Sequence, residues 1–391
     1  MNYKYPTSNA RKLRCAVTLG VFACASNAAQ ATNYQFSWVG SGPISPYTSS
    51  ENITQLNNTG QILGYRLDAS IIDTGIGYQR TSGLFNGTTF SPFAGLSGAS
   101  SISALNMNDT GHATGLVYLS AEDIRPARWD DTSTITELSR LNGYYAEGAD
   151  INNAGQIAGS SWADTNFHAV RWDVDNSIHD LGSLGGSFSR GTGINDQGYV
   201  VGISYTGNDD AAHATLWTPN GTAIDLDTSG SGYSWAEKIN NHGQIVGFTT
   251  NENGLWDTTL WNVDGSAPID LTASLAADVD TFFDQGHSTS INEAGQVVFD
   301  AFNADGSQAA YLWSNGNLTD IGTLLPAGVL VNTVTGINDN GVIYGRASIN
   351  GNWGGFVLAP AAVPIPGAAW LFGSVLAGFA GVKRRKRSPT D

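Results

Sequence analysis

The sequence predicts an all-β fold. Its seven repeats of about 45 residues read as a seven-bladed β-propeller closed by an N-terminal strand and followed by a C-terminal hydrophobic helix, with an open β-solenoid as the alternative. Three observations carry this. First, the pattern Asn-x-x-Gly-x-apolar-x-Gly recurs, strictly or with one change, at Asn57 and Gly60, Asn108 and Gly111, Asn152 and Gly155, Asn195 and Gly198, Asn240 and Gly243, Asn292 and Gly295, and Asn338 and Gly341. The intervals are 51, 44, 43, 45, 52 and 46 residues, a period typical of solenoids, propellers and arrays. Second, each interval holds four short strand-like runs. Third, the seventh unit lacks a fourth run, while the segment YQFSWVG at 34–40 is a strand without the first three. Pairing the two would close a ring and remove open sheet edges.

Within a unit, the first strand ends at the apolar residue before Asn. Asn suits the start of a type I turn because its side chain can bond the backbone ahead. The following Gly supplies the positive φ that a bulged hairpin needs. The second strand follows, as in QIVG at 244–247. The third ends in Trp129, Trp172, Trp217, Trp261 or Trp313, and the fourth has the form SIHDL (177–181) or TAIDL (222–226). Because these Trp recur at one strand position, they are expected to pack between blades. Trp162, Trp235, Trp256 and Trp353 fall outside the series and are candidates for exposed contacts.

The two ends read differently. Residues 1–31 run from Lys4, Arg11, Lys12 and Arg14 through an apolar stretch to a small-residue cleavage site at Ala29 and Ala31. This is the order of a secretory signal peptide and implies Sec-type export. Cys24 also gives a faint lipoprotein-like box. Both cysteines, Cys15 and Cys24, lie in that segment, so the mature body has no disulfide or thiolate chemistry. The repeat domain spans 32–360. In 361–391, Val363, Pro364, Ile365 and Pro366 precede an apolar run at 367–382, then Lys383, Arg384, Arg385, Lys386 and Arg387. Sixteen apolar residues are marginal for a span of about 20. The basic block should stay cytoplasmic.

This ending resembles the PEP-CTERM sorting signal in its VPLPA-like variant, with Ile365 and Gly367 departing from the usual Leu and Ala. The resemblance implies a Gram-negative host, a transient inner-membrane insertion, processing by an exosortase near the Pro motif, and a final place at the cell surface or in an exopolysaccharide matrix. The alternative is a permanent anchor holding a periplasmic protein. The repeats resemble the HAF repeat of predicted extracellular bacterial proteins. His168-Ala169-Val170 and His213-Ala214-Thr215 carry its name motif most closely. Other units depart, so His is not required for the blade, and the resemblance implies location and architecture without a settled activity.

Residues 32–382 carry nine basic and 33 acidic side chains, a balance of −24. That charge disfavours nucleic acid and anionic membrane. Asp173-Val174-Asp175-Asn176 and Asp278-Val279-Asp280 with Asp284 are weak Ca²⁺ candidates, since one Asp-x-Asp pair supplies too few oxygens. Water-exposed turns are the plainer reading, and no cofactor is expected. The six His show no metal-ligand spacing. No nucleophile elbow or phosphate loop is present. Two function classes follow. One is a non-enzymatic surface or matrix scaffold offering its loops to polysaccharide or protein partners. The other is a secreted propeller enzyme acting on glycans, which predicts shifted carboxylates at the channel mouth.

Overall fold

A computed structural model describes residues 34–39, 49–72, 75–87, 89–120, 122–227, 232–276, 279–281, 289–303 and 307–361. The expected signal peptide, Pro motif, hydrophobic helix and basic tail lie outside these residues. Among the described residues the fold is all-β apart from one 3-10 turn, Ile321–Leu324. No helix there is long and apolar enough to cross a membrane.

Seven four-stranded antiparallel sheets form a seven-bladed β-propeller. After β1 (Tyr34–Trp38), blade 1 is β2 (Ser49–Leu56), β3 (Ile62–Ile72), β4 (Gly75–Asn86) and β5 (Thr89–Pro92). Blade 2 is β6 (Ser101–Met107), β7 (Ala113–Ser120), β8 (Asp123–Trp129) and β9 (Ile135–Glu137). Blade 3 is β10 (Ala146–Ile151), β11 (Ile157–Ala163), β12 (Asn166–Trp172) and β13 (Ile178–Asp180). Blade 4 is β14 (Gly185–Ile194), β15 (Val200–Thr206), β16 (Ala212–Trp217) and β17 (Ala223–Asp225). Blade 5 is β18 (Ser234–Ile239), β19 (Gln244–Thr250), β20 (Trp256–Asn262) and β21 (Ile269–Asp270). Blade 6 is β22 (Thr289–Ile291), β23 (Val297–Phe302), β24 (Gln308–Ser314) and β25 (Asn317–Asp320). Blade 7 is β26 (Val329–Ile337), β27 (Ile343–Ile349) and β28 (Asn352–Pro360), with β1 as its fourth strand in register from Tyr34 opposite Pro360 to Trp38 opposite Phe356.

The apolar residues do not make one core. They make seven clusters, one between each pair of neighbouring blades. Trp129 stacks on Phe93 of blade 1 and donates its indole N–H to Ala94 O at 2.8 Å. Trp172 does the same to Ser139 O of blade 2 at 2.7 Å. Trp129 and Trp172 thus each fill an inter-blade gap and also satisfy a carbonyl where the previous blade ends, whereas Trp217 is equally buried with its indole N–H unpaired among the described residues. In the first and last blades Phe85 and Leu358 hold that strand position.

The second Gly of the motif has a specific steric cause. In six blades the innermost strand carries a β-bulge opposite the second strand, for example between Gly148 and Asp150 or Ala236 and Lys238. The bulge pushes a carbonyl over the Gly. A Cβ on Gly159 would stand 2.0 Å from Glu147 O, and one on Gly247 1.9 Å from Trp235 O. Blade 6 is the exception: Phe299 occupies that place, and β22 pairs with β23 without a bulge. Bulge and Gly are therefore one device, and the bulge turns its extra residue off the regular pleat.

Candidate functional site

The seven motif turns lie together on one face of the ring. All seven first Gly have positive φ, from +71° at Gly295 to +87° at Gly111. The seven Asn are almost fully buried, at 2–7% exposure. Each Oδ1 accepts the backbone N–H four residues on, as Asn152 does from Gln156 at 2.8 Å. Each Nδ2 donates to the backbone carbonyl of the next blade's Asn: 57 to 108, 108 to 152, 152 to 195, 195 to 240, 240 to 292, 292 to 338, and 338 back to 57, at 2.9–3.2 Å. Only an amide can accept within its own turn and donate to the next blade from the same side chain. Asp could not donate, and Ser would not reach.

The residue after each Asn makes a second circuit. The N–H of Asn58, Asp109, Asn153, Asp196, Asn241, Glu293 and Asp339 each donates to the side-chain oxygen of the next member, the last returning to Asn58 Oδ1, at 2.7–3.0 Å. Amides and carboxylates alternate up to Asn241. The ring is odd, so Glu293 and Asp339 stand as adjacent acids.

Inside this rim is a polar cavity of about 330 Å³ lined by the innermost strands. Its charged lining residues are Asp109, Asp150, Glu237, Lys238 and Asp339, from blades 2, 3, 5 and 7. Lys238, the one lysine between residues 13 and 382, pairs with Asp150 at 3.2 Å. Arg190 pairs with Glu147, which also accepts from Tyr145 Oη at 2.8 Å. Glu237 is the bulge residue of β18. Burial pushes its carboxyl above the ordinary range, against the pull of Lys238 and Arg190. Its Oε2 has no hydrogen-bond partner among the described residues.

The opposite face carries the β7–β8 and β11–β12 loops and the connections between blades. There Tyr144, Trp162, Asn142, Asp164, Arg140 and Asp123 line a shallow groove of about 640 Å³. Tyr144 is 52% exposed. Its ring lies 5.5 Å from that of Trp162, tilted by 37°. Phe167 holds Trp162 edge-on at 4.9 Å, and a Cβ on Gly143 would meet Trp162 at 2.4 Å. Asn142 donates to Asp164 Oδ1 at 2.6 Å and accepts from Asp164 N at 2.9 Å, clamping the loop rim.

The sequence-singled residues fall as follows. The repeat-turn Asn and Gly residues form the ring face. His168 and His213 are cross-strand partners of Asp180 and Asp225, each at 2.8 Å, and Arg125 holds Glu137 from the same strand position at 3.0 Å. They tie a third strand to a fourth. Asp173 and Asp175 sit in a turn and are occupied by Gln156, Arg171, His179 and Ser177. Asp278 and Asp284 lie outside the described residues, as do the sorting-signal and cleavage residues. Among the described residues no cluster of three or more His, Cys, Asp or Glu is arranged for a metal. Of the unpatterned Trp, Trp162 reaches the groove, while Trp353 stacks under Arg346 at 5.1 Å. Sequence reasoning missed the channel charges and Tyr144. The pair Tyr144-Tyr145 in a blade-to-blade connection was the available signal.

No family model matches this chain, and no curated protein matches it. Solved propellers do. The β-propeller domain of the Trilobed protease from Pyrococcus furiosus matches with TM-score 0.55 and 11% identity over 81% of this chain and 94% of that one. A puromycin-hydrolysing peptidase of Mycobacterium tuberculosis gives TM-score 0.51 and 11% identity over 81% of this chain and 53% of that one. TolB from Acinetobacter baumannii gives 0.44 and 13% over 68% and 61%. The chain thus spans between half and two thirds of the peptidase and TolB chains. At these identities the likeness is one of fold.

Proposed function

We propose that this is an exported cell-surface or exopolysaccharide-matrix protein, a non-enzymatic binding and structural scaffold processed by an exosortase. Its ring is closed by the N-terminal strand. The observation that carries the scaffold reading is the double circuit of hydrogen bonds. It welds seven diverged units into one rigid face and leaves the opposite loops free to vary. The β1–β28 pairing and the Asn338–Asn57 bond support closure. Export, insertion through residues 367–382 and processing rest on the sequence at the two ends.

The test is the intact mass of the protein recovered from cell surface, medium and inner membrane of its host. Loss of residues 1 to about 31 and of the tail past Pro366 is the expected result for a chain with these end signals. A full-length C-terminus confined to the inner membrane would make it a membrane-anchored periplasmic propeller instead.

One observation favours the glycan-acting enzyme as a second reading. Glu237, with a raised pKa, lies in the channel and feels the charge of Asp150, as an acid and a base of a glycosidase would. Hydrolysis of a glycan panel that Glu237→Gln abolishes would establish it. No hydrolysis by the wild-type protein would leave the scaffold.

A further inference from the structure

We propose that the groove at Tyr144 and Trp162 binds one neutral pyranose unit of a polysaccharide. This rests on the scaffold reading and gives it a ligand class and a site.

The chemistry of the lining selects the ligand. A pyranose ring has an apolar C–H face and a hydroxylated edge. Tyr144 presents an exposed ring, and Trp162 stands beside it, held from behind by Gly143 and Phe167. An aromatic surface of this kind takes an apolar face while its rim stays wet. The rim supplies hydrogen-bonding groups in a fixed arrangement. The Asn142–Asp164 clamp leaves Asp164 Oδ2 without a protein partner among the described residues. Arg140 is held between Asp123 Oδ1 and Tyr144 O by long contacts of 3.4 and 3.3 Å, so its guanidinium retains donors for a hydroxyl.

Charge narrows the class. Glu122, Asp123 and Asp164 line the groove with Arg140. Arg125 behind it pairs with Asp123 and with Glu137, so four carboxylates face two guanidiniums and the balance stays negative. An acidic sugar would meet net repulsion there, and the body as a whole is strongly acidic. Neutral hydroxyls, by contrast, can donate to carboxylates and accept from Arg140 and Asn142.

Blades 4 and 5 do not repeat the aromatic pair. At the positions equivalent to Tyr144, blades 4 and 5 carry Ser187 and Gly232, and at those equivalent to Trp162 they carry Tyr205 and Thr250. The groove therefore belongs to the junction of blades 2 and 3 and is not a by-product of the repeat. An open, shallow site also suits an internal unit of a polymer, whose neighbours can run off either side.

Affinity electrophoresis of the full-length protein through gels holding dextran, laminarin or a neutral galactan, with alginate as the acidic control, tests this. Retardation by at least one neutral polymer and none by alginate is expected. Tyr144→Ala, an exposed truncation, should weaken retardation at least tenfold, and so should Trp162→Ala. Tyr233→Ala removes an equally exposed ring elsewhere and should leave retardation unchanged; thermal melts of all three show that the ring is intact. No retardation by any neutral polymer, binding to alginate alone, or retardation that survives both Tyr144→Ala and Trp162→Ala would overturn the site. The mass measurement on fractionated cells is independent. Surface recovery without sugar binding would leave the scaffold standing and remove this ligand, and the reverse pattern would do the opposite.

Discussion

Asn338 and Asn57 are 281 residues apart, yet Asn338 Nδ2 donates to Asn57 O at 3.1 Å, and both side chains are buried. It is the same bond that joins every other pair of neighbouring blades. The seam between last and first units is thus chemically identical to the six internal junctions at this point. Several consequences can be measured.

Removing one link should cost more than a surface hydrogen bond. Asn152→Ala leaves Gln156 N–H without its acceptor and takes the inter-blade donor from Asn195 O, which keeps only the Gly198 N–H of its own turn at 3.0 Å. An orphaned buried donor costs about 1–3 kcal/mol and a lost hydrogen bond about 1 kcal/mol, so a loss of about 2–4 kcal/mol is expected in denaturant unfolding. Asn152→Asp keeps the acceptor and loses the donor, and should also destabilise. An unchanged midpoint for both would mean the circuit contributes nothing.

The two motif glycines should respond differently to Ala. Gly159→Ala drives a Cβ into the backbone oxygen of Glu147 and should cost about 3 kcal/mol or more, or prevent folding. Gly60 has φ +86° but nothing within 4 Å of a Cβ, so Gly60→Ala should cost only about 1–2 kcal/mol of backbone strain. Equal costs at the two sites would contradict the bulge explanation.

Asp300 should make the protein less stable as pH rises. It is fully buried between blades 6 and 7, accepting from Thr333 Oγ1 at 2.5 Å and Val334 N at 2.9 Å. Burial pushes its pKa up to about 7. The folded state therefore keeps a proton that the unfolded state has already lost, so stability falls between about pH 4 and pH 7 and flattens above. The span is on the order of 4 kcal/mol. Asp300→Asn preserves the acceptor and removes the charge. Its unfolding free energy should lose that part of the slope, and a slope identical to wild type would refute the assignment.

The adjacent acids of the rim should show as a salt effect. Glu293 N donates to Asp339 Oδ1, and Glu293 also takes His242 at 3.0 Å. Glu293→Gln removes the like-charge pair and is expected to be neutral or stabilising by up to about 1 kcal/mol at low ionic strength, fading at high salt. A clear loss of stability at low salt would mean that the His242 contact outweighs the repulsion.

Much of this architecture is legible in the sequence because it repeats. Strand number, the Asn-x-x-Gly turns and the Trp at the ends of third strands recur at one spacing, and repetition averages out local ambiguity. What the Asn side chain does beyond its own turn is not legible, since a donor to the next blade and a plain turn residue look alike in one dimension. The same holds for the second Gly: its cause is a carbonyl displaced by a bulge twelve residues earlier, as with Glu147 over Gly159. The channel charges escape for the opposite reason. Asp150, Arg190, Glu237 and Lys238 break the repeat, so only the ring geometry brings them together. Trp162 was visible as an exception to the Trp series. Its partner Tyr144 lies in a connection of no fixed pattern.

The central claim is a closed ring, and amide hydrogen exchange tests it most directly. The N–H of Asp339 donates to Asn58 across the seam at 2.7 Å, while the six equivalent amides donate within the array. A closed propeller predicts protection at Asp339 comparable to that at Asn58, Asp109, Asn153, Asp196, Asn241 and Glu293. An open array predicts that Asp339 exchanges as an unprotected turn while the other six stay protected, and that result would contradict the account.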